Sequence, residues 1–154
     1  MAGKIDARLK ELGLELPAPN APVANYVPYV VTGNLVFVSG QVSMAGSEKG
    51  MGTVGKDLTV EQGQAAAKLC ALTILAQAKA ACGGDLDRVK RCVKLGGFVA
   101  SGPDFKDHPK VINGASDLLV EVLGDAGRHA RFAVGVPALP LGFAVEIDAV
   151  FEIA

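Results

Sequence analysis

The C-terminal run of this chain, residues 130–153, most constrains its fold because it reads as two β-strands with a defined inside and outside. Residues 130–136 are rich in Val, Phe and Ala, residues 140–142 read Pro-Leu-Gly, and residues 143–153 alternate in polarity. Successive side chains of a strand point to opposite faces, so the second strand has an apolar face and an acidic face. The apolar face holds Val145, Ile147, Ala149, Phe151 and Ile153, and the acidic face holds Glu146, Asp148 and Glu152. The pattern predicts a hairpin with one face in the core and the other in water or a cleft.

The rest of the chain predicts an α+β domain in the order helix, two strands, helix, strand, helix, two strands. Helices are predicted over residues 4–12, 59–82 and 107–124, and strands over residues 26–31, 35–41 and 88–100. Thr59 and Gln62 form a capping box at the start of the long helix, and Gly33-Asn34 joins the first two strands as a hairpin. The long helix is rich in Ala and can lie close against a sheet. This favours a mixed sheet with two helices packed on one face.

Composition predicts one domain over residues 1–154, of which residues 1–21 form an N-terminal helix and a Pro-rich connector. A net charge of −1 gives no basic field for phosphates, which makes nucleic acid an unlikely partner. No apolar run approaches the roughly 20 residues of a membrane helix, so we expect no membrane partner and a cytoplasmic protein. Cys70, Cys82 and Cys92 lack metal-binding spacing, which predicts free buried thiols and neither a metal site nor a cofactor.

Arg131 is the residue with the strongest chemical implication. It lies on a predicted strand between Ala130 and Phe132, where an arginine loses much hydration energy unless it is paired. It either forms an ion pair with Glu146 or Asp148, or binds a carboxylate of a ligand through its planar guanidinium. The residues alone leave both alternatives open.

Three separately placed motifs resemble those of the RidA/YjgF proteins, also known as L-PSP endoribonucleases. The first hairpin matches at Tyr26, Gly33-Asn34 and Ser39-Gly40-Gln41, the helix over residues 107–124 at Asn113, and the closing signature at Ala130-Arg131, Leu139-Pro140 and Val145-Glu146-Ile147. The resemblance covers about residues 22–153.

This resemblance implies a chorismate-mutase-like fold that assembles as a homotrimeric barrel with clefts between subunits. It also implies an enamine/imine deaminase, a hydrolase that converts 2-imino acids to 2-keto acids and ammonia without a cofactor. Arg131 would clamp the substrate carboxylate of this small metabolite, and Glu146 would place the attacking water. The remaining substrate-binding residues would be Tyr26, Ser39, Gly40 and Asn113.

Alternatives remain for several of these residues and for the function. Tyr26 also fits a half-buried sheet tyrosine, and Ser39-Gly40 also fits a bend at a strand end. The protein could instead be a regulatory trimer that binds a carboxylate metabolite without turnover, or an L-PSP-type endoribonuclease or translation inhibitor. Residues 50–56 match most of a phosphate-binding loop, but Asp57 replaces the Ser or Thr that such a loop requires, so we predict a plain flexible loop.

Overall fold

The computed structural model describes residues 3–19 and 24–154 of the chain. Within these ranges, the predicted order of elements is confirmed, with a small hairpin added between the second strand and the long helix. The helices are α1 (Lys4–Glu11), α2 (Val60–Ala81) and α3 (His108–Leu123), and the strands are β1 (Tyr29–Thr32), β2 (Leu35–Val42), β3 (Met44–Ala45), β4 (Glu48–Lys49), β5 (Val89–Ala100), β6 (Ala130–Val136) and β7 (Val145–Ile153). Strand β1 begins at Tyr29 rather than at residue 26, since Pro28 has no N–H to give to a ladder.

Strand β7 lies at the centre of the sheet, and the predicted hairpin between residues 130–136 and 143–153 is wrong. In the described part of the chain, the main sheet has five strands in the order β1-β2-β7-β5-β6. Strand β5 pairs in parallel with β6 and antiparallel with β7, so it separates the two strands. A parallel pair needs a crossover, which α3 supplies, and residues 137–144 then carry the chain past β5. The mostly exposed side chains of β6 suit the edge of the sheet, whereas every second residue of β7 is buried.

Helices α2 and α3 pack on one face of this sheet, as predicted. The predicted apolar face of β7 lies against them, and all five of its side chains are buried. Two glycines allow the close approach of these layers. A Cβ atom on Gly97 would lie 2.8 Å from the side chain of Ile112, and one on Gly114 would run into the backbone of Gln64. The layers form an α+β domain with its core between the helices and the sheet.

The predicted ends and faces of the helices are largely confirmed. The backbone N–H of Gln62 donates to Oγ1 of Thr59 at 3.2 Å, and Oε1 of Gln62 accepts from the N–H of Thr59 at 2.9 Å, which completes the capping box. Helix α1 packs at the edge of the domain through its buried Leu9. The predicted Pro-rich connector falls partly on residues 20–23, which lie outside the described residues. The buried stripe of α3 contains Val111, Ile112, Gly114, Ala115, Leu118, Leu119 and Val122.

The glycine-rich segment before α2 is hydrogen-bonded rather than the plain flexible loop that the sequence predicted. Strands β3 and β4 form a small hairpin, and the backbone N–H of Thr53 donates to the carboxylate of Asp57 at 3.0 Å. Residues 50–56 do not open directly onto a helix, because α2 begins only at Val60. A phosphate-binding loop needs free N–H groups at a helix start, and this segment does not provide that arrangement.

The residues that the structure describes leave the face of the sheet away from the helices uncovered. Val30 opposes Phe37 across β1 and β2, and both side chains are exposed on this face. Phe132 and Val134 of β6 are also exposed there. Because exposed apolar side chains at both edges of the sheet are costly in water, this face is a surface suited to association.

Candidate active site

Arg131 is half-buried in the groove between the edge strand β6 and helix α3. It opposes Leu95 of β5, and it shares the helix side of β6 with Gly135, whose added Cβ would meet side chains on that side. Its Nη1 donates to Oγ of Ser116 at 3.1 Å, and its Nη2 donates to the carbonyl of Pro109 at 3.2 Å. Both partners are neutral acceptors on α3. The guanidinium is therefore held in place by neutral groups, and these contacts do not balance its positive charge.

A chain of hydrogen bonds extends from Arg131 through Ser116 to His129. Nδ1 of His129 lies 2.6 Å from the carbonyl of Gly127, which can only accept, so Nδ1 carries the proton. Nε2 then accepts from the hydroxyl of Ser116 at 2.9 Å, which leaves the Ser116 oxygen free to accept from Arg131. Burial lowers the pKa of His129, and the nearby charge of Arg131 lowers it further, against a raising effect of the Gly127 bond. The neutral imidazole thus fixes the orientation of Ser116.

Sequence reasoning missed His129, although a signal for it was available. His129 precedes Arg131 by two residues, and residues two apart on a strand share a face.

Asn113, a predicted substrate-binding residue, is half-buried on α3. It lies four residues after Pro109 and three before Ser116, so it shares their side of the helix. The structure therefore places Asn113 on the same side of α3 as the contacts of Arg131.

Glu146 lies on β7 against the backbone of β2, next to Gly40. The pairing of β2 with β7 shifts register between Val38 and Gln41, and this bulge contains Gly40. A Cβ atom on Gly40 would run into Oε2 of Glu146, so only glycine leaves room for the carboxylate there. Burial raises the pKa of Glu146, and the neighbouring charge of Asp148 raises it further. A carboxyl group with a raised pKa is suited to proton transfer near neutral pH.

Two hydrogen bonds from Ser39, a residue of β2, hold the segment that contains Tyr26 against this strand. The backbone N–H of Ser39 donates to the carbonyl of Pro28 at 2.9 Å, and its hydroxyl donates to the carbonyl of Val27 at 2.7 Å. The hydroxyl proton of Ser39 is thus already used, and its oxygen remains an acceptor. Tyr26 is 57% exposed and precedes β1, so the alternative of a half-buried sheet tyrosine is wrong.

One chain does not bring Arg131 and Glu146 together. Arg131 pairs with Leu95 of β5, which in turn pairs with Ala149 of β7, and these side chains lie on the helix side of the sheet. Glu146 belongs to the other half of the alternating side chains of β7, which lie on the open side. Strand β5 also separates β6 from β7, which puts these strands about 10 Å apart. The ion pairs found over residues 3–19 and 24–154 do not involve Arg131, so the predicted pairing with Glu146 or Asp148 is wrong within one chain.

The cysteines take no part in this arrangement. All three are free and buried, as predicted. Burial raises the pKa of Cys92 to about 12, which disfavours the reactive thiolate. In the described ranges, no three His, Cys, Asp or Glu side chains converge as metal ligands. Those ranges also contain no helix that is both long and apolar enough to cross a bilayer.

A mixed sheet with helices on one face, and an arginine held in the groove between its edge strand and a helix, defines a chorismate-mutase-like α+β protein. The family model of the YjgF/chorismate-mutase-like endoribonucleases matches residues 6–152. The chain belongs to this family. The match begins within α1 and ends one residue before the end of β7.

Several known proteins resemble the chain over nearly its whole length. Protein TCP17 of Trypanosoma cruzi is 52% identical over 154 residues, which cover 99% of this chain and 96% of that protein. The solved structure of Atu1372 from Agrobacterium tumefaciens, a protein of unknown function, is 53% identical with a TM-score of 0.91, and covers 97% of this chain and 92% of its own. Each of these two matches therefore covers at least 97% of this chain.

Two further solved structures are more distant. RidA from an Antarctic Psychrobacter species is 31% identical with a TM-score of 0.60, and the match covers 88% of this chain and 94% of that one. E. coli TdcF, solved with bound serine, is 23% identical with a TM-score of 0.62, and the match covers 89% and 94% of the two chains. At the latter identity, the likeness shows a shared fold alone.

Proposed function

We propose that the protein hydrolyses reactive 2-imino acids to 2-keto acids and ammonia, at sites formed between the subunits of a homotrimer. The observation that carries this proposal is the state of Arg131. Its guanidinium is half-buried and held by neutral acceptors, and among the described residues no carboxylate bonds to it. A fixed, unneutralised guanidinium is a receptor for a carboxylate, which it binds through two parallel hydrogen bonds.

Once the substrate carboxylate is bound, the protein needs to supply few further catalytic groups. A 2-imino acid already reacts with water at the imine carbon, so positioning the two reactants supplies much of the acceleration. Glu146 of an adjacent subunit accepts a proton from the attacking water, whose oxygen forms the new C–O bond. Glu146 returns this proton to the imine nitrogen, which gives a carbinolamine. The second proton of the water then passes from the new hydroxyl to the nitrogen, the C–N bond breaks, ammonia leaves, and the 2-keto acid remains. The raised pKa of Glu146 suits this exchange of a proton.

An assembly of several copies is proposed because the site is incomplete in one chain, and the family resemblance implies that this assembly is a trimer. Arg131 and Glu146 lie on opposite faces, so a second copy must bring its Glu146 to the groove of Arg131. The uncovered face with Phe37 and Phe132 gives such copies a surface on which to associate. Tyr26, Ser39 and Gly40 would accompany Glu146, whereas Asn113 would accompany Arg131.

Two relatives support this choice of substrate class. The chain is 31% identical to a protein named RidA, and its fold is that of TdcF, which was solved with bound serine. Serine carries a carboxylate next to a nitrogen-bearing carbon, as a 2-imino acid does. The endoribonuclease in the family description is the main rival, but a net charge of −1 offers little attraction for an RNA backbone.

The test measures ammonia and keto acid released from freshly generated 2-iminopropanoate and 2-iminobutanoate. Arg131→Ala and Glu146→Gln are expected to lose most of the wild-type rate. Arg128→Ala removes an equivalent but exposed arginine, paired with Asp125 at 3.5 Å, and is expected to retain the rate.

A wild-type rate no higher than that of buffer would overturn imine hydrolysis for these substrates. Stabilisation by 2-ketobutyrate in a melting experiment, without turnover, would instead select a carboxylate sensor. Cleavage of RNA that disappears in Arg131→Ala would select the endoribonuclease. Sedimentation velocity tests the trimer separately from each of these activities.

A further inference from the structure

A cavity of about 670 Å³ lies at the carboxyl ends of β5 and β6, beside the first turn of α3. Ser101, His108 and Gly135 form part of its wall, and the exposed Lys56 and Lys106 also line it. Arg131 does not line this cavity, and it precedes Gly135 by four residues, or about 13 Å along an extended strand. The cavity and the proposed imine site therefore differ in their lining residues, although Nη2 of Arg131 reaches the carbonyl of Pro109, which follows His108 in the chain.

A buried serine and a histidine form a pair in the wall of this cavity. Oγ of Ser101 lies 3.1 Å from Nε2 of His108 and 3.2 Å from the carbonyl of Val99. Ser101 is only 7% exposed. A Cβ atom on Gly135 would run into Nε2 of His108 and lie 2.7 Å from Oγ of Ser101, so the missing side chain makes room for the pair. The edge of the Phe105 ring packs at a right angle to the imidazole, with the centroids 5.1 Å apart. Gly135 on one side and Phe105 on the other thus fix the position of the Ser101–His108 pair.

The charges around the cavity favour an anion. Of the described residues that line it, none is acidic, and Lys56 and Lys106 contribute positive charge. Of the nearby carboxylates, Asp57 accepts the N–H of Thr53, Asp107 lies 3.7 Å from the ammonium of Lys110, and Asp104 is exposed and does not line the cavity. The side chain of Asp107 does not cap α3, so the positive end of this 16-residue helix remains available.

We propose that this cavity binds a small organic anion, which has an anionic oxygen group and a compact apolar body. The anionic group lies between Lys56 and Lys106 and beside the imidazole of His108. The apolar body packs on Phe105 and Val136, which line the same space. Phosphate monoesters and carboxylates share this chemistry, and the experiment below separates them.

The experiment uses the two histidines of the chain as reporters, because only His108 lies in the cavity. Phenyl phosphate and benzoate, which share a ring, are titrated into the protein while the imidazole NMR signals are recorded. Arg131→Ala serves as the host protein, so that benzoate cannot bind at the proposed imine site. A saturable shift of the His108 signals with either probe, and an unchanged His129, is the expected result. The probe that saturates His108 identifies the anionic group.

A charge-matched pair of variants checks the role of the lysines. Lys56→Gln with Lys106→Gln is expected to weaken binding about tenfold or more, since two nearby positive charges are removed. Lys10→Gln with Lys90→Gln makes the same change of net charge at exposed positions elsewhere and is expected to leave binding unchanged. Absence of a saturable His108 shift with both probes would overturn the proposal, as would equal weakening by both lysine pairs. Neither result depends on imine hydrolysis.

Discussion

Arg131 and Glu146 point to opposite faces of one sheet, and strand β5 lies between the strands that carry them. A side chain cannot change face without a shift of the strand by one residue, which would bury the acidic set of β7 in the core. The separation is therefore a property of the fold rather than of side-chain rotamers. If both residues serve one reaction, the reaction requires two chains.

Mixing two inactive variants tests this requirement. Arg131→Ala and Glu146→Gln chains are unfolded together, refolded as mixed trimers and assayed for imine hydrolysis. About a quarter of the sites are expected to combine an intact Arg131 from one chain with an intact Glu146 from its neighbour, and so recover about a quarter of the wild-type rate. Each variant refolded alone is the control. No recovery in trimers shown by mass to be mixed would overturn a site shared between Arg131 of one chain and Glu146 of another.

The alternation of β7 could be read from the sequence because it depends on local polarity alone, and it correctly gave the core face. The position of β7 in the sheet could not be predicted from local polarity. It depends on how β5 pairs with β6 and β7, which both lie far from β5 along the chain. The same limit affected Arg131. Its chemistry was evident from its flanking residues, but its partners Ser116 and Pro109 lie on a helix whose placement is set by tertiary packing.

Ser116→Ala is expected to weaken substrate binding rather than the chemical step. The hydroxyl links Arg131 to His129, and its loss frees the guanidinium to adopt other orientations. A hydrogen bond to a charged group is worth about 1.5–3 kcal/mol, so KM for 2-iminobutanoate should rise about tenfold or more. Ser116→Thr keeps the hydroxyl and should restore KM, and Ser47→Ala on the exposed β3–β4 turn should change nothing. A fall in kcat at constant KM would contradict this role of Ser116.

His129 should make the folded protein less stable as the pH falls. Burial lowers its pKa in the folded state, so below the unfolded value of about 6.5 the unfolded chain binds the proton more tightly. Above about pH 6.5, the neutral imidazole makes its full contribution to the free energy of unfolding. This contribution is lost as the pH falls towards the pKa of His129 in the folded protein. Urea unfolding from pH 8 to pH 5 should show this slope reduced in His129→Gln. The corresponding His108→Gln variant controls for removal of an imidazole, and an unchanged slope in His129→Gln would be contrary evidence.

Gly40→Ala should impair catalysis through Glu146 without unfolding the protein. The added Cβ would occupy the position of Oε2 of Glu146, and this flexible carboxylate can move away from it. We expect kcat to fall about tenfold or more, because a displaced base loses its reach to the water, while KM changes little because Arg131 is untouched. The control is the same substitution in Glu146→Gln, where there is no carboxylate base left to displace. If Gly40→Ala lowers the remaining rate of Glu146→Gln as strongly as that of the wild type, the glycine acts independently of Glu146.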